Sequence, residues 1–111
     1  MADIEKIVRI NNLLNLYQEI LSPTQKQMML DYYVYDLSLG EIAEERKVSR
    51  SACEDAIKKG IAKLEEIESK LHILERNEKL LKTIENLKKK AAKPEDLAEI
   101  EELERSINHG I

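Results

Sequence analysis

The residues best equipped for chemistry cluster in "SRSACEDAIKKGIAK", Ser49 to Lys63, where four cations (Arg50, Lys58, Lys59, Lys63) face two carboxylates (Glu54, Asp55). An arginine directly after a serine cap stands at a helix start, where backbone N–H groups favour anions. Its planar fork holds a phosphate or carboxylate through two hydrogen bonds. Ser49, Arg50, Lys58, Lys59 and Lys63 are therefore the candidates for binding a nucleic acid or an acidic partner, read as a short basic stripe. Glu54 and Asp55 pull the other way. A carboxylate accepts from cytosine N4, yet two adjacent anions repel the flanking phosphates. The stretch permits weak contact with DNA and argues against specific reading of a duplex.

Other reactive side chains read as structural. Cys53, the single cysteine, excludes an internal disulfide and a cysteine-based zinc site, and its position in the helix points inward. His72 lacks a second ligand at metal-binding spacing, and His109 lies near the C-terminus. Tyr32, Tyr33 and Tyr35 have the chemistry to stack on unpaired bases, but their helical offsets suit the rim of a core. Met28 and Met29 read as core filler. Lys88, Lys89, Lys90 and Lys93 suit the negative end of a helix dipole. The paired glutamates come with no nucleophile, phosphate loop or metal cluster. No enzyme and no cofactor is expected.

The elements that must position these residues are helical. The chain has 111 residues, 42% hydrophobic and 36% charged, with 3 Gly, 2 Pro and no Trp or Phe. That balance fits an all-α protein. Ile4, Ile7, Val8, Asn11, Leu14, Tyr17 and Leu21 recur at helical spacing behind the cap Asp3, and Ile10, Leu13 and Ile20 widen the stripe enough for two packing surfaces. Ser22, Pro23 and Gln25 open a second helix, expected to end near Tyr35 or Asp36, and Ser38 with Glu41 opens a third. From Ser49 to Ala92 only Gly60 interrupts. Leu64, Ile67, Leu71 and Leu74 form a coiled-coil-like seam whose register shifts at Glu78, so a bend near Asn77 is favoured over one straight helix. Pro94 starts a last helix with one apolar edge of Leu97, Ile100, Leu103 or Glu104, and Ile107, and "NHG" marks its stop.

"DLSLGEIAEERKVSRSACEDAIKKGIAKL" has the order of a helix-turn-helix. Leu39 and Ile42 anchor the first helix, Ala43 is small at the crossing, Val48 packs in the turn, Ser49 caps the second helix, and Ala52, Cys53, Ala56 and Ile57 point inward. "LSLGEIAEERKVSR" resembles the fourth conserved region of bacterial sigma factors. From Ile4 to about Glu75, with specific stretches at "LSLGEIAEE" and "SKLHILE", the chain is similar to the YlxM family of Gram-positive bacteria and mollicutes. In the sigma-like pattern the positions of Glu54 and Asp55 tend to be Arg and Gln, and here both are acidic.

The resemblance implies an all-α fold: a sigma-region-4-like helix-turn-helix with an N-terminal helix and a long C-terminal helical extension. It also implies a regulatory, non-enzymatic role in the signal recognition particle pathway, through its GTPase, the GTPase's receptor or the particle's RNA. The alternative is a helix-turn-helix transcriptional regulator. The net charge of −4 is unfavourable for a general nucleic-acid binder. The expected organisation is a helix-turn-helix domain over residues 1–75 and an extension over 76–111. No apolar run reaches the roughly 20 residues of a membrane span, and no signal peptide is visible, so a cytoplasmic protein is expected. The broad stripe of Ile4–Leu21 and the Leu64–Leu74 seam further predict a homodimer.

Overall fold

The computed structural model describes residues 3–108, which form six helices and no strand. The chain divides into two compact units, one ending at Leu71 and the other starting at His72.

The first unit holds α1 (Ile4–Tyr17), α2 (Pro23–Tyr33), α3 (Leu39–Arg46) and α4 (Arg50–Leu71), with a single 3₁₀ turn at Gln18–Ile20. Each start follows from a side chain that satisfies otherwise orphaned N–H groups. Asp3 accepts from Glu5 N–H at 3.1 Å. Ser22 and Gln25 bond reciprocally before α2, and Ser38 and Glu41 do so before α3. The second helix stops at Tyr33, two residues short of the expected end. Val34 and Tyr35 N–H groups both turn back to the Leu30 carbonyl, and Asp36 is left-handed at φ 59°.

Helix α4 is the spine, packing against α1, α2 and α3. The buried row of α1 is Ile10, Leu13, Leu14 and Tyr17. Ile4 and Val8, expected in that stripe, are 76% and 52% exposed. At 100° per residue they lie about 120–160° around the helix from Ile10, so one packing face cannot hold both sets. Met28 and Met29, Ile42 and Ala43, and Cys53, Ile57 and Leu64 complete the core.

Polar ties fix the helix pairs. Tyr17 Oη donates to Glu68 Oε1 at 2.7 Å in the interior. Arg9 grips Glu65 through two bonds, 3.0 Å from Nε and 2.6 Å from Nη2. Between α2 and α4 the approach is tight at Gly60, where an added Cβ would collide with the Met29 side chain.

The second unit is a hairpin of α5 (Ile73–Lys90) and α6 (Pro94–Asn108). One left-handed residue, His72 at φ 55°, separates α4 from α5. The interruption therefore falls five residues before Asn77, which lies inside α5. The expected seam ends with it: Leu64 is fully buried, Leu71 is 53% exposed and Leu74 is buried beyond the break. Within the hairpin, Lys88 Nζ donates to both carboxylate oxygens of Glu104, at 2.8 and 2.9 Å. That bond holds the Lys88 ammonium above the ordinary lysine range. The stop expected at "NHG" and His109 itself lie outside the described residues.

Candidate partner-binding surface

Helices α3 and α4 with the turn between them make the helix-turn-helix. Helix α3 starts on the Ser38–Glu41 box. Ser38 N–H donates to the Glu41 carboxylate at 3.0 Å, and Glu41 N–H returns a bond to Ser38 Oγ at 3.1 Å. The backbone N–H chiefly, then the Ser38 hydroxyl, hold Glu41 below its ordinary range. At the other end, Arg46 reaches back to α2. Its Nε and Nη2 donate to Asp31 Oδ2 at 2.9 and 2.7 Å. Asp31 is only 7% exposed, so this clasp replaces much of its lost hydration.

The turn itself is a left-handed Lys47, φ 56°. Lys47 N–H bonds the Glu44 carbonyl at 3.4 Å and Val48 N–H bonds the Ala43 carbonyl at 3.0 Å, the pairing of a Schellman close. Val48 was expected to pack in this turn; it is 40% exposed. Ser49 Oγ then accepts from Ala52 N–H at 3.0 Å and starts α4. The inward row of α4 is Cys53, Ile57, Gly60 and Leu64, extended by the buried Glu68. Ala52, expected inward, is exposed, because the row advances by three and four from Cys53 and leaves position 52 outside it.

The five candidate residues all lie on the exposed side, but they do not form one stripe. Arg50 and Lys58 lie on one flank, about 80° apart with Glu54 between them. Lys59 and Lys63 lie toward the other flank, Lys63 about 140° from Arg50. The second flank is also occupied. Lys59 pairs with Asp55 at 3.0 Å, and Lys63 Nζ donates to Gln25 Oε1 at 3.4 Å. Arg50 and Lys58 are exposed and form no ion pair among the described residues.

Lys58 also borders something the sequence did not show. With Lys6, Tyr32, Tyr33, Leu39, Glu54, Ile57 and Ile61 it lines an open hollow of about 240 Å³. Tyr32 and Tyr33 meet edge to face, with ring centres 5.0 Å apart, and both are half-buried. Burial, and then the neighbouring Tyr32, push the Tyr33 phenol above its ordinary value. Tyr35 stands apart at 65% exposure. The signal for the hollow was present only as the Tyr32–Tyr33 pair, since Lys6, Leu39 and Lys58 are far apart in sequence. Cys53 is fully buried, and the exposed His72 sits with its Nδ1 3.1 Å from Glu75. Among the described residues, no three His, Cys, Asp or Glu side chains are placed to hold a metal.

With this geometry in place, the comparisons with known proteins fall on the same elements. A family model described as UPF0122, "Putative helix-turn-helix protein, YlxM / p13 like", matches residues 4–104, spanning all of α1 to α5 and most of α6. The chain belongs to the YlxM/p13-like helix-turn-helix family. A UPF0122 protein of Oceanobacillus iheyensis is 47% identical over 85 residues, covering 77% of this chain and 81% of that protein. One from Halalkalibacterium halodurans is 43% identical over 105 residues, covering 91% and 96%. One from Exiguobacterium is 42% identical over 95 residues, covering 86% and 89%. No solved structure matches. The YlxM/p13-like match includes the hairpin of the second unit, so the family likeness extends well beyond the helix-turn-helix. No described helix is long and apolar enough to cross a membrane.

Proposed function

We propose that this YlxM/p13-like protein is a non-enzymatic regulatory accessory of the signal recognition particle pathway. It acts in the cytoplasm by binding a protein or RNA component, either the targeting GTPase, its receptor or the particle RNA. The observation that carries the reading is the outward face of α4. On it stand two exposed carboxylates, Glu54 between Arg50 and Lys58 and Asp55 near the middle, and Asp55 is paired with Lys59. A helix that met duplex phosphates would place cations there. The contact falls instead to Arg50 and Lys58, whose charges are not taken up by carboxylates of the same chain.

A helix-turn-helix transcriptional regulator is the second reading, favoured by the intact α3–turn–α4 geometry with Ser49 capping the exposed helix. Two experiments separate them. Selection from a random duplex pool at about 150 mM salt is expected to return no enriched sequence, because screening leaves the generic phosphate attraction weak. A clear consensus would establish the second reading. Capture of the tagged protein from its native cytoplasm, with and without nuclease, is expected to recover a targeting component. Arg50→Ala combined with Lys58→Ala should weaken that capture several-fold, and Lys59→Ala should barely change it. Recovery unaffected by the Arg50/Lys58 change would remove the surface from the reading.

A further inference from the structure

The α5–α6 hairpin has a core too small for itself. Among its described residues only Leu74 and Ile84 are buried, while Leu80, Leu87 and Leu103 are 42%, 45% and 50% exposed. The second unit starts at His72, so it has about 40 residues, the size below which a chain needs a disulfide, a metal or association. The only cysteine is Cys53, in the other unit. At 100° per residue Leu80 and Leu87 lie within about 20° of each other on α5. In an antiparallel hairpin, Leu103 of α6 opens onto the same side. One face of the hairpin is therefore an unpartnered leucine surface.

Its charges say what fits it. Helix α5 carries six basic residues against three acidic, and α6 carries six acidic against one basic. Beside the open leucines the outer flank of α5 presents Lys79 and Lys90, and that of α6 presents Asp96 and Glu99. A two-fold axis can stack such a face on itself in two ways. With α5 over α5 the basic flanks oppose each other. With α5 over α6, basic meets acidic on both sides, and every neighbouring pair of helices runs antiparallel. We propose that the occupant is a second copy of this chain. The two hairpins close an antiparallel four-helix bundle in which α5 of each copy lies on α6 of the other. The interface is thus placed on the second unit rather than on α1, whose row of Ile10, Leu13, Leu14 and Tyr17 is buried within the first.

The full chain should sediment at equilibrium as twice 12.9 kDa at tens of micromolar. A monomer at about 100 µM, well above the dissociation constants of specific interfaces, would overturn the proposal. Leu87→Glu with Leu103→Glu should give a monomer of unchanged helicity by circular dichroism, since both side chains are exposed in one copy. A dimer that survives that change would place the interface elsewhere. Charge reversal tests the pairing. Lys79→Glu with Lys90→Glu should weaken the dimer by about tenfold at low salt, and less as salt rises. Adding Asp96→Lys and Glu99→Lys to the same chain should restore it. A dimer indifferent to the lysine reversal would exclude α5 lying on α6.

Discussion

At Gly60 the distance between two helices is decided by a single hydrogen atom. Helices α2 and α4 approach so closely that a methyl group here would run into the fully buried Met29. Alanine improves helix propensity by about 1 kcal/mol, while overpacking a tight core costs about 1–3 kcal/mol. Gly60→Ala should therefore lower stability by roughly 1 kcal/mol in urea unfolding. A variant more stable than the parent would mean that the Met29 side chain yields freely. The inward position of Gly60 is legible from its spacing to Cys53, Ile57 and Leu64. Its collision partner is not, because Met29 lies on a different helix. Asp31 with Arg46, and Tyr17 with Glu68, escape for the same reason: the pairs join helices far apart in the chain. Glu68 was nonetheless reachable, standing four residues after Leu64 in the inward row.

The helix starts are the most legible elements. Ser22 with Gln25, Ser38 with Glu41, and Ser49 with Ala52 act across three positions, so sequence alone contains both partners. Stops are harder. Lys47 and His72 end α3 and α4 in the left-handed region, and Asp36 adopts it just beyond α2, none of them the glycine that would mark such a position in the sequence. The shift of leucine register predicts the bend near Asn77; it lies instead at His72, where one residue changes its dihedral angles. The box on α3 also makes its stability depend on pH. Folding lowers the Glu41 carboxyl below its ordinary value of 4.5, so its stabilising contribution is present above 4.5 and is lost as pH falls through the folded value. Glu41→Gln keeps both hydrogen bonds of the box without the titration. Melts from pH 6 to pH 3 should show a shallower acid-side loss for that variant than for the parent. Parallel curves would mean that Glu41 contributes nothing to the acid limb.

Over the whole chain, the net charge of −4 averages over a strongly segregated distribution, with a basic helix and an acidic helix side by side in the second unit. The candidate site was legible in residue identity and exposure. Its division into two flanks follows from helical geometry applied to the same five positions. The occupation of Lys59 and Lys63 does not, since Lys63 bonds a residue of α2. The only sulfhydryl in the molecule, Cys53, is sealed at the centre of the first unit. An alkylating reagent reaches it only when that unit opens, so, where reclosing outpaces alkylation, the labelling rate divided by that of a free thiol gives the fraction of time the unit is open. Labelling followed by mass spectrometry should run at least about a thousandfold slower than in urea. Gly60→Ala should accelerate it by the same factor as its loss of stability, about fivefold for roughly 1 kcal/mol. Unprotected labelling of the native chain would show the start of α4 fraying on its own. Matched factors would make one buried sulfur atom the gauge of the helix-turn-helix, reading what fraction of the time the partner surface is dissolved.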